Sequence, residues 1–339
     1  MSHAVEVSRV NNPARWRDAC ETIDGAGLFH DPRWARLWRR VFGEEMVCLI
    51  ASEGSRPVAM LPMVRRRAGP LGHYWISVPY FDAAGPVGDP ECFPALIQAA
   101  EQLRRDRGDD YAEIRSPFAL DTQWQLDDHK QHVVLRLPDT EETLFAGFKS
   151  KLRSQVRRAE REEPTHEIDG LSLVPTFHDV YSHRMWELGS PCQPRRLFRA
   201  LLETFPAEAA VLVVRLRGRP VAGAFLLRDR DRVLIPWAST LSEVNRLSMN
   251  MVLYARALSW AVQRGATSFD FGRSDAGSSQ IRFKRQWGGE ARGLHWYREP
   301  GEHRTGDPSR ARALAQRLWQ KLPLPVTRVL GPTVIPYFS

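Results

Sequence analysis

Apolar residues recur along this chain at two periods, and the alternation between them lays out its elements. Trp34, Leu37, Trp38 and Val41 fall at i, i+3, i+4 and i+7, which predicts an amphipathic helix opened by Asp31-Pro32 and closed by Gly43. Residues 46–52 and 58–64 read as two strands of a hairpin turning at Glu53-Gly54-Ser55-Arg56-Pro57. A strand near 74–78, a Gly/Pro-rich loop, a helix over 91–106 and strands at 110–115 and 132–137 follow. From 140 to 163 the pattern predicts one long helix stopped by Pro164, with Leu144, Phe148, Leu152 and Val156 on one face and Lys149, Arg153, Arg157 and Arg161 on its neighbour. Beyond it, helices are expected at 177–189 and 194–204, and strands at 209–216, 221–228 and 232–238. Helix 247–264 ends at Gly265 and feeds a strand at 267–272; an irregular loop then leads to a strand at 291–297.

Part of this pattern is stated twice. Arg56-Pro57-Val58-Ala59 returns as Arg219-Pro220-Val221-Ala222, an offset of 163 residues, each time opening an apolar run. Arg107-Gly108 with Tyr111-Ala112-Glu113-Ile114-Arg115-Ser116 returns as Arg264-Gly265 with Phe269-Asp270-Phe271-Gly272-Arg273-Ser274, at an offset of 157 for the Arg-Gly pair. Order and spacing are nearly kept over a distance far beyond solenoid periods, so the repeat implies two copies of one α/β unit. A boundary at Pro164 gives an N-terminal domain over 1–164 and a C-terminal one over 165–300, with a linker and tail over 301–339.

The totals narrow the class. Hydrophobic residues at 43% and charged ones at 26% are ordinary globular values, which argues against large-scale disorder. The first nine residues have no apolar stretch behind a basic start, so they do not read as a signal peptide, and no window approaches the length of uncharged apolar residues that spans a membrane. Cys20, Cys48, Cys92 and Cys192 are scattered, without a C-x-x-C pair, so a reduced, cytoplasmic enzyme without structural zinc is expected. The net charge of +8 favours an anionic partner, although a GC-rich genome's arginine usage shifts the balance the same way. The tail carries a basic amphipathic helix at 311–322 and an apolar, Pro-punctuated stretch from Leu322 to Phe338. It suits either a hydrophobic patch on the body or a membrane surface, peripherally.

Several chemistries are absent. Gly272-Arg273-Ser274-Asp275-Ala276-Gly277 has the wrong spacing for a nucleophile elbow, neither a P-loop nor a dinucleotide fingerprint occurs, and His178 and His183 are five apart, which does not place both on one helix face for zinc. Three segments remain. One is the aromatic, turn-rich loop from Pro79 and Tyr80 to Asp89; another is the basic stripe of helix 140–163. The third runs from Gly277 to Glu290, where Phe283, Lys284 and Trp287 sit close behind a Gly/Ser-rich lead-in. A cation and an aromatic beside such a loop suit a site that closes over an anionic intermediate; a surface hairpin with one buried aromatic would look the same.

In order, Gly218-Arg219-Pro220-Val221-Ala222-Gly223, Asn250-x-x-Leu253-Tyr254, Trp260-Ala261, Phe269-Asp270-Phe271-Gly272-Arg273-Ser274 and Phe283-Lys284-x-x-Trp287-Gly288 resemble the Fem-type transferases, which are tandem proteins of the GNAT (Gcn5-related N-acetyltransferase) fold. The basic helix from Lys149 through Arg157-Arg158-Ala159-Glu160 is similar to that family's segment between the copies, and Gly85-Pro86-Val87-Gly88-Asp89 to its Gly-Pro-x-x-Asp; Ala84 stands where cell-wall members often have Arg. The tail, with Trp319, Leu322-Pro323-Leu324 and Leu330-Gly331-Pro332, resembles the subgroup associated with exosortase and PEP-CTERM exopolysaccharide loci.

The resemblance implies an α/β fold of two GNAT-like domains, with mixed sheets flanked by helices, and an acyltransferase that forms an amide on an envelope or exopolysaccharide precursor. The donor would be aminoacyl-tRNA or acyl-CoA, with no bound cofactor and no metal. Lys284 beside Phe283 would stabilise the intermediate, and Asp89 would orient the acceptor amine or carry its proton. Lys149, Arg153 and Arg157 would meet phosphate, and Tyr80, Asn250, Asp270, Arg273 and Trp287 would complete substrate binding. The implied partners are an anionic substrate such as tRNA or a nucleotide- or lipid-linked glycan, and not DNA. The Gly-less turn Val244-Asn245-Arg246-Leu247-Ser248-Met249-Asn250 argues against a tight CoA pyrophosphate site. Two alternatives stay open: a CoA-dependent N-acyltransferase acting on a sugar or glycan, and a non-catalytic envelope-assembly protein that kept the fold.

Overall fold

A computed structural model describes residues 5–67, 72–82, 84–300 and 308–335. Its first sheet is built on β1 (Val5–Val10), β2 (Glu45–Glu53), β3 (Arg56–Arg67), β4 (His73–Ile76), β5 (Val87–Gly88), β6 (Tyr111–Ser116) and β7 (Gln125–Asp127). The second is built on β8 (Lys130–Arg136), β9 (Thr165–Asp169), β10 (Ala209–Leu216), β11 (Arg219–Asp229), β12 (Arg232–Thr240), β13 (Ser268–Asp275) and β14 (Glu290–Gly293), and β15 (His295–Arg298) returns to the first. The strand orders are β1-β2-β3-β4-β6-β15-β7, with β5 beside β3, and β9-β10-β11-β12-β13-β8-β14. Position by position the two orders correspond, and in each path one pair alone is parallel, β4/β6 and β12/β13.

The repeated Arg-Pro-Val-Ala has a structural cause. In both hairpins the register shifts so that the valine is skipped: Ala51 faces Ala59 and Ser52 faces Pro57, while Val214 faces Ala222 and Arg215 faces Pro220. Proline cannot donate to a ladder, so it is tolerated next to a bulge at the strand's start. In the second copy the turn residues Arg217 and Gly218 both have positive φ, as a two-residue turn matched to the strand twist requires.

The sixth position of each sheet is exchanged. β8, from the first half of the chain, lies between β13 and β14, whereas β15, from the second half, lies between β6 and β7. Segments 125–136 and 290–298 thus run antiparallel as one ribbon through both sheets, from Gln125↔Arg298 to Val134↔Glu290. The sheets therefore do not divide the chain at residue 164.

Eleven helices are described: α1 (Pro13–Thr22), α2 (Arg33–Phe42), α3 (Phe93–Arg107), α4 (Glu141–Gly147), α5 (Ser150–Glu160), α6 (Val174–Glu187), α7 (Arg195–Thr204), α8 (Met249–Gln263), α9 (Ser279–Arg285), α10 (Pro308–Lys321) and α11 (Leu324–Val334). The single helix expected over 140–163 is two, because Phe148 and Lys149 are extended and Phe148 turns inward, edge-on to Trp287 at 5.4 Å. The expected loop after Arg273 contains α9, capped by the Ser278 hydroxyl, and the strand expected over 291–297 is broken at the buried Leu294. The linker expected at 300–310 falls largely outside the described residues, as does the tail beyond Ile335.

One apolar core spans the halves. Trp34 and Trp38 of α2 and Phe81 pack with Phe198, Phe205, Phe225 and Trp237, with ring centroids 4.8 Å apart for Trp34–Phe205 and 5.9 Å for Phe81–Trp237. Arg33 crosses the same seam to Glu208 at 2.9 Å, and Asp229 accepts the Leu28 amide at 2.7 Å. Trp34 is fully buried, so Trp34→Ala is expected to cost about 3–5 kcal/mol. Calorimetry should show one shifted transition, since neither half keeps a complete core without the other; two separate transitions would contradict a shared core.

Candidate functional site

The parallel pair β12/β13 is short. Its ladder covers Arg232↔Ser268, Val233↔Phe269 and Leu234↔Asp270, after which the strands part although both continue. A cavity of about 390 Å³ opens at that divergence. Leu234, Ile235, Pro236, Trp237 and Ala238 of β12 form one wall and Asp270, Phe271, Gly272 and Arg273 of β13 another. His132 comes from β8, Tyr254 from α8, Lys284 from α9, and Ile335 from the end of α11; Phe29, Tyr80, Phe81 and Asp82 of the first half close the cavity.

The bulge at Gly272 (φ 72°) sets up the polar part of the site. Register slips between Asp270 and Arg273, and the carbonyls of Gly272 and Arg273 turn to the Lys284 ammonium, which donates to them at 2.7 and 2.8 Å. An ammonium has three N–H donors, so one remains beyond these two bonds. Lys284 is only 7% exposed, and burial pushes its pKa down to about 8, with the Asp270 and Asp82 carboxylates opposing the fall and Arg273 adding to it. Asp270 is buried as well. Burial pushes its carboxyl up, but hydrogen bonds from His132 Nδ1 at 2.9 Å and the Gly272 amide at 2.8 Å, helped by the charge of Arg232, hold it below the usual range. A carboxylate accepting from Nδ1–H leaves His132 Nε2 as an acceptor. Across the cavity Asp82 pairs with Arg273 at 2.5 Å, raising the guanidinium's pKa, and Arg273 lies over the Trp296 ring at 5.2 Å.

Of the residues expected from sequence, Lys284, Asp270, Arg273 and Tyr80 meet in this cavity. Tyr80 holds a left-handed backbone (φ 72°), a strained conformation for a bulky residue, and is fastened by the buried Arg66, which donates to its hydroxyl at 2.9 Å and stacks on its ring at 4.8 Å. Phe283 lies behind the wall, 5.1 Å from the Tyr254 ring, and Trp287 belongs to the core. Asn250, half-buried in the first turn of α8, does not line the cavity. Neither does Asp89, which caps the turn at Pro90–Cys92 by accepting the Glu91 amide at 3.0 Å. Lys149, just before α5, and Arg157 on it are exposed, and Arg153 donates to the Ala146 carbonyl at 2.9 Å, joining α4 to α5. His132, Asp82 and Trp237 were not legible as site residues. The one available signal was Asp270, an acid flanked by phenylalanines in a buried strand, which demands a partner; that partner, His132, is 138 residues away.

The corresponding position of the first sheet is occupied by ion pairs. Glu113, in register with Ile76 as Asp270 is with Leu234, is held by Arg115 at 2.9 Å and Arg298 at 2.7 Å, and Trp296 covers Arg115 at 4.0 Å.

Residues 146–285 match the family model described as an acetyltransferase (GNAT) domain, which supports an acyltransferase. Among solved structures, FemX is similar with a TM-score of 0.66 at 12% identity, over 91% of this chain and all of that one (100%). The L-PGS of Bacillus licheniformis matches with a TM-score of 0.55 at 12% identity, over 92% and 98% of the two chains. A tandem GNAT protein from the clavulanic acid biosynthesis pathway gives 0.54 at 10% identity, over 88% and 100%. No curated protein matches the sequence. At these identities the likenesses establish the fold, a tandem GNAT architecture of two mixed sheets flanked by helices. Among the described residues there is no cluster of three or more His, Cys, Asp or Glu that could hold a metal, and no helix long and apolar enough to cross a membrane.

Lys284 also contributes to how stability depends on pH. Its pKa is about 8 in the fold against an ordinary 10.5, so between those values the unfolded chain binds more protons and this residue makes stability rise with pH. The stability difference between wild type and Lys284→Met, measured by denaturant titration, should change in that window in favour of the wild type by up to about 1.4 kcal/mol per pH unit. A flat difference would show that the ammonium is not desolvated. The same substitution takes the ammonium donor from the Gly272 carbonyl and leaves the Arg273 carbonyl with the Ser274 hydroxyl at 2.7 Å, so an overall loss of about 1–3 kcal/mol is expected too, rather than the intact stability of a surface lysine.

Proposed function

We propose that this protein is a Fem-like acyl or aminoacyl transferase that forms an amide on an amine-bearing envelope or exopolysaccharide precursor. The observation that carries the reading is the convergence of the His132–Asp270 pair and Lys284 on one cavity at the diverging strands. In the reaction, the amine nitrogen attacks the activated acyl carbon, a C–N bond forms, and the bond to the departing oxygen or sulfur breaks. His132 Nε2 takes the proton the amine loses and returns it to the leaving group, while Asp270 keeps the imidazole in the required tautomer. The third N–H of Lys284 meets the oxyanion of the tetrahedral intermediate. The envelope acceptor is supported by the motif resemblance, and the Fem-type fold by the likeness to FemX.

A second reading, an acyl-CoA donor, draws on the GNAT model match and on the start of α8. There Ser248 is left-handed (φ 57°) and receives a hydrogen bond from Arg158 at 3.0 Å, which places a guanidinium at a helix N-terminus. Calorimetry with CoA separates the donors. The Fem-like reading expects weak binding, and tight, saturable binding abolished by Arg158→Glu would put the CoA-dependent enzyme first.

Product formation is read by mass spectrometry after incubation with charged tRNA or acetyl-CoA and a panel of amino sugars and amino acids. His132→Asn should lower turnover by about a hundred- to ten-thousand-fold with the fold intact. The rate should fall above about pH 8 as Lys284 loses its proton. Lys284→Arg should be slower yet lack that falling limb, because guanidinium stays charged. Full activity in both His132→Asn and Lys284→Met would sink the catalytic assignment and leave a binding protein.

A further inference from the structure

α11 is amphipathic the wrong way round for a helix packed on a protein. Towards the body it buries Thr327 and Gly331, an i, i+4 pair, and a Cβ at Gly331 would stand 3.0 Å from the Cys192 backbone nitrogen. Towards solvent it turns Val326 (40% exposed), Val329 (73%) and Leu330 (40%), which share one face at i, i+3 and i+4. Leu318 of α10 (55%) adds to the exposed apolar surface. The helices are not loosely placed: Trp186 of α6 donates to the Leu322 carbonyl at 2.9 Å, Gln320 donates to the Glu187 carbonyl at 2.8 Å, and Arg328 donates to the Ser182 hydroxyl at 2.9 Å. A rigid mount that spends its small polar side on the protein and leaves valine and leucine in water implies an apolar occupant for the outer face.

Charge identifies that occupant. From 308 to 335 the sequence holds Arg310, Arg312, Arg317, Lys321 and Arg328 and not one Asp or Glu. Lys321 and Arg317 are exposed. Cations beside an apolar stripe suit an anionic bilayer, where the side chains enter the headgroup boundary and the cations stay among phosphates. A second protein would instead present carboxylates to one part of this surface and an apolar groove to another. The same helix ends at Ile335, which lines the cavity described above. We infer that α10–α11 is a docking surface for an anionic lipid bilayer, holding the cavity next to the membrane so that a lipid-linked or bilayer-resident molecule can enter it.

Flotation of the purified full-length chain with phosphatidylglycerol-rich vesicles, and separately with pure phosphatidylcholine vesicles, tests this. Binding to the anionic vesicles is expected, weakened by salt and by Arg317→Gln/Lys321→Gln, and weakened about tenfold or more by Val329→Asp/Leu318→Asp. All four side chains are exposed, so circular dichroism and melting should match the wild type. The inference is overturned if the wild type binds both vesicle types equally or not at all. It is equally overturned if Val329→Asp/Leu318→Asp leaves binding unchanged, or if sedimentation shows a wild-type dimer that this variant dissolves, which would make the face a contact between two copies.

Discussion

The structure turns on the separation of two parallel strands. β12 and β13 share a ladder only as far as Leu234 and Asp270, and past that point each has backbone groups that no neighbouring strand can satisfy. An unpaired buried carbonyl is costly, so a divergence inside a protein persists only if something else supplies donors. Lys284 does so for Gly272 and Arg273, with a charge whose burial is itself unfavourable. The ammonium that satisfies the bulged strand is thus also the cation that lines the cavity between the strands.

Duplication makes this comparison internal. Both sheets have the same strand order and the same single parallel pair, and the cavity described above lies at the second copy's pair. In the first, Glu113 takes two arginines and Trp296 lies over one of them, so the acid is already satisfied. In the second, Asp270 takes an imidazole and a backbone amide, and the cavity stays open beside them. Trp296 lies over Arg115 of the first copy and also over Arg273 of the second, so one ring joins the two positions. The first half further supplies Phe29, Tyr80, Phe81 and Asp82 to the cavity. The ribbon of 125–136 and 290–298 and the aromatic seam explain why neither copy is self-sufficient.

Much of the fold was legible in the sequence because it is encoded locally. The helix carrying Trp34, Leu37, Trp38 and Val41 buries those four residues, and Gly43 ends it in a left-handed turn (φ 70°), since period and cap are short-range properties. The repeat of Arg-Pro-Val-Ala marked two hairpins, and the bulge that both share shows why the words matched. Lys284, Asp270, Arg273 and Tyr80 could be singled out because each is unusual for its own surroundings: a cation among aromatics, an acid between phenylalanines, an arginine after a strand glycine, a tyrosine in a turn-rich loop.

What the tertiary structure alone decided is which distant residues meet. Nothing near His132 distinguishes it from a half-buried strand histidine; it becomes a candidate base because β8 crosses into the other copy's sheet and lands beside Asp270. Asp89 and the basic stripe looked equally chemical in sequence, yet the fold uses Asp89 to cap a turn and leaves Lys149 and Arg157 on an outer face. The break at Phe148 likewise answers to Trp287, far along the chain, and not to helix propensity. Local sequence determines which elements form and where they stop, because those energies act over a turn or a pair of strands. The site depends on strand exchange and burial, which belong to the assembled core and to no single stretch of it.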